Sequence, residues 1–207
     1  MKLSIIIPIF NEKDTANVII SRVHRLRLKG IELKELIIVD DGSTDGTREI
    51  LDQFKRDNGI TIFLQPNNKG KGAAVRKGFE LATGDIFLIQ DADLEYNPDE
   101  YPKLLAPIVA GNADVVYGSR FIGGEAHRIL FYWHSWDNKI LTTLSNMFTN
   151  LNLSDMECGY KVFRSEIIKQ IKIRENRFGF EPEVTAKIGK QAKKGKCRIY
   201  EVGISYF

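Results

Sequence analysis

The amino-acid sequence predicts an α/β protein with a Rossmann-like, mostly parallel sheet flanked by helices. Short β-branched runs alternate with segments of helical apolar spacing through the first half of the chain. Polar segments follow the ends of these runs, as expected where loops leave the carboxyl edge of a parallel sheet. With 207 residues, 43% of them hydrophobic, the chain is long enough to bury one sizeable core.

The first half of the chain supplies four predicted strands and three connecting helices. Continuous apolar runs, typical of parallel strands buried on both faces, occupy residues 3–9, 36–39, 60–64 and 86–90, and Pro8 is expected to close the first. Thr44 or Asp45 is expected to cap the second helix, and the third covers about residues 73–82. The residues expected to face the core are Val18, Ile19, Val23 and Leu26 in the first helix and Ile50, Leu51 and Phe54 in the second.

The second half contains further elements of both kinds. We predict a helix over residues 98–110 and strands over 113–120, within 155–163 and over 198–207. Residues 121–125 include two glycines and are expected to be mobile. A last helix is predicted to begin at Glu181, because acidic side chains favour a helix N-terminus, and to run into a group of lysines. That charge run is typical of a solvated face, with anionic lipid head groups as the alternative partner.

Residues 127–148 are predicted to form an amphipathic helix rich in aromatic side chains. These are Phe131, Tyr132, Trp133, Trp136 and Phe148. We favour packing of this helix on the core, as for most such helices. The alternative is a surface that meets lipid, since Trp and Tyr suit a membrane interface and Arg128 and Lys139 lie nearby.

Three carboxylates follow the fourth predicted strand at alternate positions. Asp91, Asp93 and Glu95 would share a face if the chain stayed extended there. Their mutual repulsion would raise at least one pKa unless a cation lies among them, so the pattern suggests a divalent metal. Oxygen ligands alone favour Mg²⁺ or Mn²⁺ over zinc. A solvated Asp-rich turn is the alternative for this motif taken alone.

Four polar motifs follow strand ends and are therefore expected at one edge of the sheet. They cover residues 8–12, 40–43, 70–72 and 91–95. Gly70-Lys71-Gly72 suits phosphate, which backbone N–H groups and a lysine at the start of a helix would contact. The chain has no Walker A loop, no GxGxxG after its first strand and no Gly-x-Ser-x-Gly elbow. These absences argue against P-loop, NAD or FAD, and serine hydrolase chemistry, and leave a metal and a diphosphate as the expected ligands.

Charge and cysteine content narrow the class of partners. A net charge of +3 is too mild to indicate nucleic acid. Cys158 and Cys197 form neither a zinc pattern nor a disulfide framework, so a reducing cytosolic location is expected. Because no apolar segment is long enough to cross a bilayer, any membrane contact of these residues is expected to be peripheral.

Five motifs together resemble the family 2 glycosyltransferases of the GT-A fold, most closely the branch of dolichol-phosphate mannosyl- and glucosyltransferases. The motifs are residues 8–12 (PIFNE), 40–47 (DDGSTDGT), 68–72 (NKGKG), 91–94 (DADL) and 118–120 (GSR). The resemblance implies a single GT-A catalytic domain over residues 1–207, with a nucleotide-sugar-binding part at 1–120 and an acceptor-side part at 121–207. Related chains continue with further basic residues or membrane helices, so we expect this chain to be truncated at its C-terminus.

The resemblance also implies roles for single residues. Asp91 and Asp93 would hold the metal and the diphosphate with Glu95 at a third metal position, and Asp41 would read the base. Arg120 would face the diphosphate or the acceptor phosphate. The expected donor-binding residues are Pro8, Phe10, Asn11, Glu12, Val39, Asp41, Lys71, Gly72, Asp91, Ala92, Asp93 and Arg120. The expected catalytic residues are Asp93, Arg120, Asp155 and Glu157. Core packing by Phe10 and capping of a turn by Asp40 are the structural alternatives.

The activity implied by the resemblance is an inverting, metal-dependent transfer of a hexose from UDP-glucose or GDP-mannose to a polyprenyl or dolichyl phosphate at the cytosolic face of a membrane. Such an acceptor is already ionised and needs little help from a general base. In a transferase that elongates a polysaccharide or glycan, Asp155 or Glu157 would take the proton of a sugar hydroxyl. A nucleotidyltransferase and a non-catalytic nucleotide-sugar-binding protein are the alternatives from other classes.

Overall fold

The computed structural model describes the backbone of residues 1–123 and 132–205, and the side chains of those residues other than 132–135. The strands are β1 (Lys2–Ile9), β2 (Leu33–Asp40), β3 (Ile60–Leu64), β4 (Ile86–Ile89), β5 (Val115–Ser119), β6 (Lys161–Arg164) and β7 (Ile199–Gly203). The helices are α1 (Ala16–Arg25), α2 (Thr47–Asp52), α3 (Lys71–Leu81), α4 (Tyr101–Val109), α5 (Tyr132–Thr149), α6 (Ser165–Ile168) and α7 (Phe180–Lys193).

The strands form one seven-stranded sheet in the order β3-β2-β1-β4-β6-β5-β7. The pairs from β3 to β4 are parallel, as is the pair of β5 with β7. This confirms the predicted α/β class and the mostly parallel sheet. β6 lies antiparallel between β4 and β5. Its place in the sheet depends on partners far away along the chain, which local apolar spacing does not encode.

Core side chains cover both faces of the sheet. On one face Ile5 of β1 packs in a cluster with Ile19 of α1 and side chains of α4. On the other face Ile6 packs in a second cluster with Phe79 of α3 and Val184 of α7. Successive β1 residues point to opposite faces, so burial on both sides accounts for the unbroken apolar run.

Helix α3 approaches β1 closely at Gly78. A Cβ atom added there would lie 2.3 Å from Cγ2 of Ile6, which is fully buried. Glycine is therefore required at this helix position by packing and not by backbone conformation.

Glu35 lies near the start of β2, at the edge of the sheet opposite the polar motifs. Its carboxylate lies 2.6 Å from Nζ of Lys2 and accepts hydrogen bonds from Oγ of Ser4 at 2.6 Å and the backbone N–H of Thr83 at 2.7 Å. Partial burial opposes ionisation of Glu35, but these bonds outweigh it and lower its pKa to about 2.

Local details depart from the predicted elements. Strand β1 continues past Pro8, which pairs in register with Val39, so Pro8 does not close the strand. Val18 is 49% exposed and does not face the core. The residue at the N-cap of α2 is Gly46, with no side-chain cap hydrogen bond, so the predicted capping by Thr44 or Asp45 is wrong. Asp45 lies one residue earlier and accepts the backbone N–H of Thr47 at 3.0 Å. The last strand, β7, ends at Gly203, earlier than predicted.

The aromatic helix corresponds to α5. Its predicted beginning at residues 127–131 lies outside the described residues, as do the side chains of Phe131, Tyr132 and Trp133. Trp136 is 50% and Phe148 84% exposed, so the predicted core packing of these two aromatic residues is wrong. No helix within residues 1–123 and 132–205 is both long and apolar enough to span a bilayer.

Candidate active site

The polar motifs meet beyond the carboxyl ends of β1, β2 and β4, where the strand order changes direction. Asn11 joins two of the loops: its backbone N–H donates to Oγ of Ser43 at 2.9 Å, and its side-chain oxygen accepts the N–H of Thr44 at 2.9 Å. Asn11 has a φ of 54°, a left-handed conformation that asparagine tolerates. The loop after β1 is thereby fixed against the loop after β2.

Two neighbouring aspartates at the end of β2 hold the loops in place. Asp40 is fully buried and accepts the backbone N–H of Ser43 at 3.3 Å and Nε of Arg48 at 2.7 Å, so it caps the turn. Asp41 accepts the backbone N–H of Lys69 at 2.8 Å and that of Gly70 at 2.6 Å. Asp41 therefore positions the glycine-lysine loop, and its contact with a nucleotide base stays a prediction.

Lys71, the first residue of α3, lies between two carboxylates. Its Nζ is 2.9 Å from Oδ1 of Asp91 and 3.1 Å from Oε1 of Glu181, the second residue of α7. Burial by itself would lower the pKa of Lys71, but the two carboxylates raise it above its usual value. Lys71 thus carries its charge directly beside the acidic loop.

The acidic loop does not stay extended. Leu94 has a φ of 63°, and Oδ1 of Asp93 accepts the N–H of Glu95 at 3.2 Å. The alternate carboxylates therefore do not form one extended row, and Asp91 is engaged by Lys71. Asp93 is open to solvent, yet partial desolvation and the nearby charges of Asp91, Glu95 and Glu12 raise its pKa to about 6. This is the carboxylate repulsion expected from the sequence.

The donor set of this loop suits a cation held jointly with a ligand. Within residues 1–123 and 132–205, no three His, Cys, Asp or Glu side chains are placed to hold a metal ion among themselves. Mg²⁺ is commonly bound by one or two carboxylates together with substrate phosphates. Asp93 is exposed, and the negative charges around it disfavour its ionised form. It therefore suits a cation shared with substrate phosphates better than a cation held by protein ligands alone.

A buried network supports the acidic loop from below. Gln90 accepts the hydroxyls of Tyr101 and Tyr160 at 2.8 Å each and donates its amide to the carbonyl of Asp91 at 2.8 Å. Gly159 lies directly against the loop, because a Cβ added there would be 2.1 Å from Oδ2 of Asp91. The loop therefore has little freedom to move toward the sheet.

Arg120 and Asp155 form a bidentate ion pair between the segments that follow β5 and α5. Nε of Arg120 donates to Oδ2 of Asp155 at 2.7 Å and Nη2 donates to Oδ1 at 2.9 Å. Asp155 also accepts the backbone N–H of Arg120 at 3.1 Å and Nδ2 of Asn138 at 3.2 Å. The Asp155 side chain is fully buried, whereas that of Arg120 is 13% exposed. Asp155 therefore holds the guanidinium in position with only a small part of the Arg120 side chain open to solvent.

Glu157, which is partly buried, and Lys161 follow Asp155 along the chain. Burial raises the pKa of Glu157, and the charge of Glu181 raises it further. Lys161 is fully buried and donates to the backbone carbonyl of Cys158. Burial lowers the pKa of Lys161, while the carboxylate of Glu181 opposes that change.

The other expected donor-binding residues lie at the same edge of the sheet. Phe10 follows β1 and is 44% exposed, so it does not pack in the core. Val39 and Gly72 are buried beneath the loops, and Ala92 is buried within the acidic loop. Arg128, the basic residue named above beside the aromatic helix, lies outside the described residues.

The sequence profile of Glycosyl transferase family 2 matches residues 4–172, which includes every one of these loops. The chain belongs to glycosyltransferase family 2. The predicted family resemblance is thus confirmed.

Two curated relatives of this family 2 chain are named as sugar transferases of a polyprenyl phosphate. A dolichol-phosphate mannosyltransferase of Pyrococcus furiosus is 30% identical over 200 residues, which are 93% of this chain and 54% of the relative. An undecaprenyl-phosphate 4-deoxy-4-formamido-L-arabinose transferase of Photorhabdus laumondii is 31% identical over 183 residues, or 87% of this chain and 54% of the relative. The chain spans little more than half the length of these relatives.

A solved structure supports the fold assignment. Glucosyl-3-phosphoglycerate synthase of Mycobacterium tuberculosis, crystallised with Mn²⁺, UDP and phosphoglyceric acid, superposes with a TM-score of 0.75 at 20% identity. The match covers 99% of this family 2 chain and 69% of the synthase. It confirms the predicted GT-A fold.

Reasoning from the sequence missed two residues of the site. The acidic side chain of Glu181 predicts only a favourable helix start, yet Glu181 contacts Lys71, and its Oε2 is buried with no hydrogen-bond partner among the described residues. The predicted strand within residues 155–163 does not indicate that Gly159 lies against Asp91. Both are far from the acidic loop along the chain, so no local pattern could have found them.

Proposed function

We propose that this chain is the catalytic part of an inverting glycosyltransferase that moves a hexose from UDP-glucose or GDP-mannose to a polyprenyl phosphate at the cytosolic face of a membrane. The observation that carries the proposal is the exposed Asp93 in the same loop as Asp91, whose carboxylate contacts the charged Lys71, at the switch point of a GT-A sheet. An acidic group that favours a cation next to a lysine that favours phosphate suits a nucleoside diphosphate bound with a metal.

Asp93, and Asp91 when released from Lys71, would hold Mg²⁺ or Mn²⁺ together with the donor diphosphate. When bound, the metal supplies Lewis-acid stabilisation of the negative charge that develops on the leaving diphosphate. Lys71 can contribute its own positive charge to the same diphosphate. Glu181 would keep Lys71 in place as Asp91 changes partner, because its carboxylate already lies 3.1 Å from the ammonium group.

The acceptor proposed is a phosphate because the candidate general base Asp155 is already engaged. Its two oxygens accept four hydrogen bonds, and the side chain is fully buried. These four bonds occupy the oxygens that would have to meet a sugar hydroxyl, whereas an ionised phosphate acceptor needs no general base. Arg120, fixed by Asp155, would orient the acceptor phosphate, since a guanidinium binds phosphate well.

One observation favours the second candidate function, transfer to a sugar hydroxyl. Burial and the charge of Glu181 raise the pKa of Glu157, as expected of a general base that works near neutral pH. Transfer to a hydroxyl would then depend on Glu157, and transfer to a phosphate would not. Replacing Glu157 with glutamine therefore separates the two candidates.

The decisive test is metal-dependent binding of a nucleoside diphosphate. Thermal unfolding is measured with UDP, GDP and CMP, each with Mn²⁺ and with EDTA, because a ligand of the folded state raises its apparent stability. We expect a shift with UDP or GDP that requires the metal and is lost in Asp93→Ala. Asp57→Ala, an exposed aspartate before β3 at the opposite edge, is the matched control and should keep the shift.

Product analysis tests the reaction itself. A nucleotide sugar, Mn²⁺ and a polyprenyl phosphate in detergent should yield a nucleoside diphosphate and an organic-soluble sugar lipid. Pyrophosphate released in a parallel reaction that contains a nucleoside triphosphate and a sugar 1-phosphate would indicate a nucleotidyltransferase instead. Metal-dependent binding without turnover of any acceptor would support the non-catalytic alternative.

A further inference from the structure

Lys161 is a fully buried lysine to which the proposed function gives no role. It is the first residue of β6, and its ammonium group donates to the carbonyl of Cys158 and lies 5.3 Å from the centre of the Tyr117 ring. A carbonyl oxygen and an aromatic face both favour a cation. Lysine side chains are almost never fully buried without a partner, so a carboxylate is expected close to this one.

Glu181 is that carboxylate. Tyr117 connects the two residues, since its ring faces the ammonium group of Lys161 and its hydroxyl lies 3.0 Å from Oγ1 of Thr185. Thr185 follows Glu181 by about one helical turn, and both are buried residues of α7 on the same face. Burial lowers the pKa of Lys161, and of the charged groups around it Glu181 opposes this change most. The two charges therefore act on each other inside the protein, where water screens them little.

Glu181 also contacts the candidate active site. Its Oε1 lies 3.1 Å from Nζ of Lys71, whereas its Oε2 is buried and has no hydrogen-bond partner among the described residues. Burying a carboxylate oxygen without a hydrogen bond is unfavourable unless positive charge compensates it. Lys71 compensates one oxygen, and Lys161 adds a second positive charge. Glu181 is thus common to one lysine of the site and one lysine of the core.

The backbone keeps Glu181 and Lys71 together. A Cβ added at Gly72 would lie 2.6 Å from the carbonyl oxygen of Glu175 and 3.1 Å from Cβ of Phe180. The start of α3 is therefore in close contact with the start of α7 and the segment before it. Because these contacts adjoin both charged residues in the chain, the two side chains stay within reach of each other.

The charges of this cluster decide what a diphosphate would meet. The cluster has two cations and two anions: Lys71, Lys161, Asp91 and Glu181. In the proposed complex Asp91 contacts the metal, and the two lysines with Glu181 leave one net positive charge beside the diphosphate. Without Lys161, the carboxylate of Glu181 would cancel the charge of Lys71, and the diphosphate would meet a neutral pair.

We propose that Lys161 is a positioning residue of the donor site, which compensates the carboxylate of Glu181 so that Glu181 holds Lys71 without cancelling its attraction for the diphosphate. This rests on the proposed function, which supplies the diphosphate. The side chain of Lys161 is fully buried, so it acts on the donor through Glu181 and not by contact. Filling the core would need only the aliphatic part of the lysine, which methionine replaces at similar volume.

The test is calorimetric binding of UDP and GDP with Mn²⁺ to the parent chain, Lys161→Met, Glu181→Gln and the double variant. Lys161→Met should weaken the affinity for the diphosphate that the parent binds at least about tenfold. In the Glu181→Gln chain the same change should cost less than about threefold, because no carboxylate remains to be compensated. Tyr117→Phe is the matched control: it removes the hydroxyl contact with Thr185 in the same buried cluster, changes no charge and should keep the parent affinity.

Turnover separates this role from general damage to the fold. With a nucleotide sugar and a polyprenyl phosphate as substrates, Lys161→Met should raise the KM for the nucleotide sugar about tenfold and leave the KM for the acceptor within about twofold. A purely structural role would change both values or lower the amount of active protein. Thermal unfolding of each variant reports the amount of folded chain.

Two binding results would overturn the proposal while the proposed function stands. They are unchanged affinity in Lys161→Met, and the same loss of affinity whether residue 181 is glutamate or glutamine. If Lys161→Met does not fold, the double variant decides: a folded double variant supports compensation of Glu181 by Lys161, and an unfolded one overturns it. If the parent chain itself binds neither nucleotide with the metal, the proposed function fails first, and this role of Lys161 fails with it.

Discussion

Replacing Asp155 with asparagine tests whether this residue holds Arg120 or accepts a proton. Asparagine keeps the shape of the side chain but removes its charge and one of the two oxygens that accept from the guanidinium at 2.7 and 2.9 Å. Arg120, whose side chain is only 13% exposed, would then lose the charge and the bidentate geometry that Asp155 supplies.

The expected cost is set by that burial. Removing one partner of a buried ion pair destabilises proteins by about 3–5 kcal/mol. Because Arg120 retains some access to water, we expect the lower end, about 3 kcal/mol. For a domain of this size each kcal/mol lowers the melting temperature by about 2–4 °C, so the variant should melt about 6–12 °C lower.

Urea unfolding measures this cost, and a double-mutant cycle with Arg120→Met isolates the pair. We expect a coupling energy of about 2 kcal/mol or more between the two positions. Glu157→Gln is the matched control, because the raised pKa of Glu157 means that folding disfavours its ionised form. Removing that charge should leave stability unchanged or slightly higher at pH 7.

The opposite result would refute the positioning role of Asp155. If Asp155→Asn is as stable as the parent chain within about 1 kcal/mol but transfers no sugar to a hydroxyl acceptor, Asp155 acts as a base and not as a support for Arg120. The proposed phosphate acceptor would then lose its main structural support.

Three further changes have defined outcomes. Gly78→Ala should destabilise the chain by about 1–3 kcal/mol, because the new Cβ would lie 2.3 Å from Ile6. The cost of Gly78→Ala should be smaller when it is measured in a chain that already carries Ile6→Ala. A Gly78→Ala chain more stable than the parent would contradict this packing. Glu35, whose pKa is lowered to about 2, contributes about 1–2 kcal/mol above pH 4.5 once solvent screening is allowed for, and this is lost as the pH falls toward 2. Urea unfolding of Glu35→Gln should therefore show lower stability at pH 7 and a weaker fall in acid, and parallel pH curves would exclude this. Gly159→Ala should displace Asp91 and weaken metal-dependent nucleotide binding at least about tenfold, as measured by calorimetry, and unchanged affinity would show that the loop tolerates the shift.

The order of motifs along the chain was sufficient to predict the family and the edge of the sheet at which the site lies. Each polar motif directly follows an apolar strand, and parallel strands end at a common edge. The repulsion at Asp93 also followed from sequence spacing, because the carboxylates are close whatever conformation the loop adopts. The mutual positions of Asp91, Asp93 and Glu95 did not follow from the spacing, because they depend on the bend at Leu94.

Local sequence determined where strands and helices begin and which runs are buried on both sides, because those properties depend on residues close together in the chain. Only the tertiary structure decided that Glu181 contacts Lys71, that Gly159 lies against Asp91 and that Asp155 is engaged by Arg120. It also decided that α5 turns its polar side inward, because the loop at residues 153–156 offers hydrogen bonds there that an apolar face could not make. Such contacts join distant segments, and their energies exist only once the chain has folded.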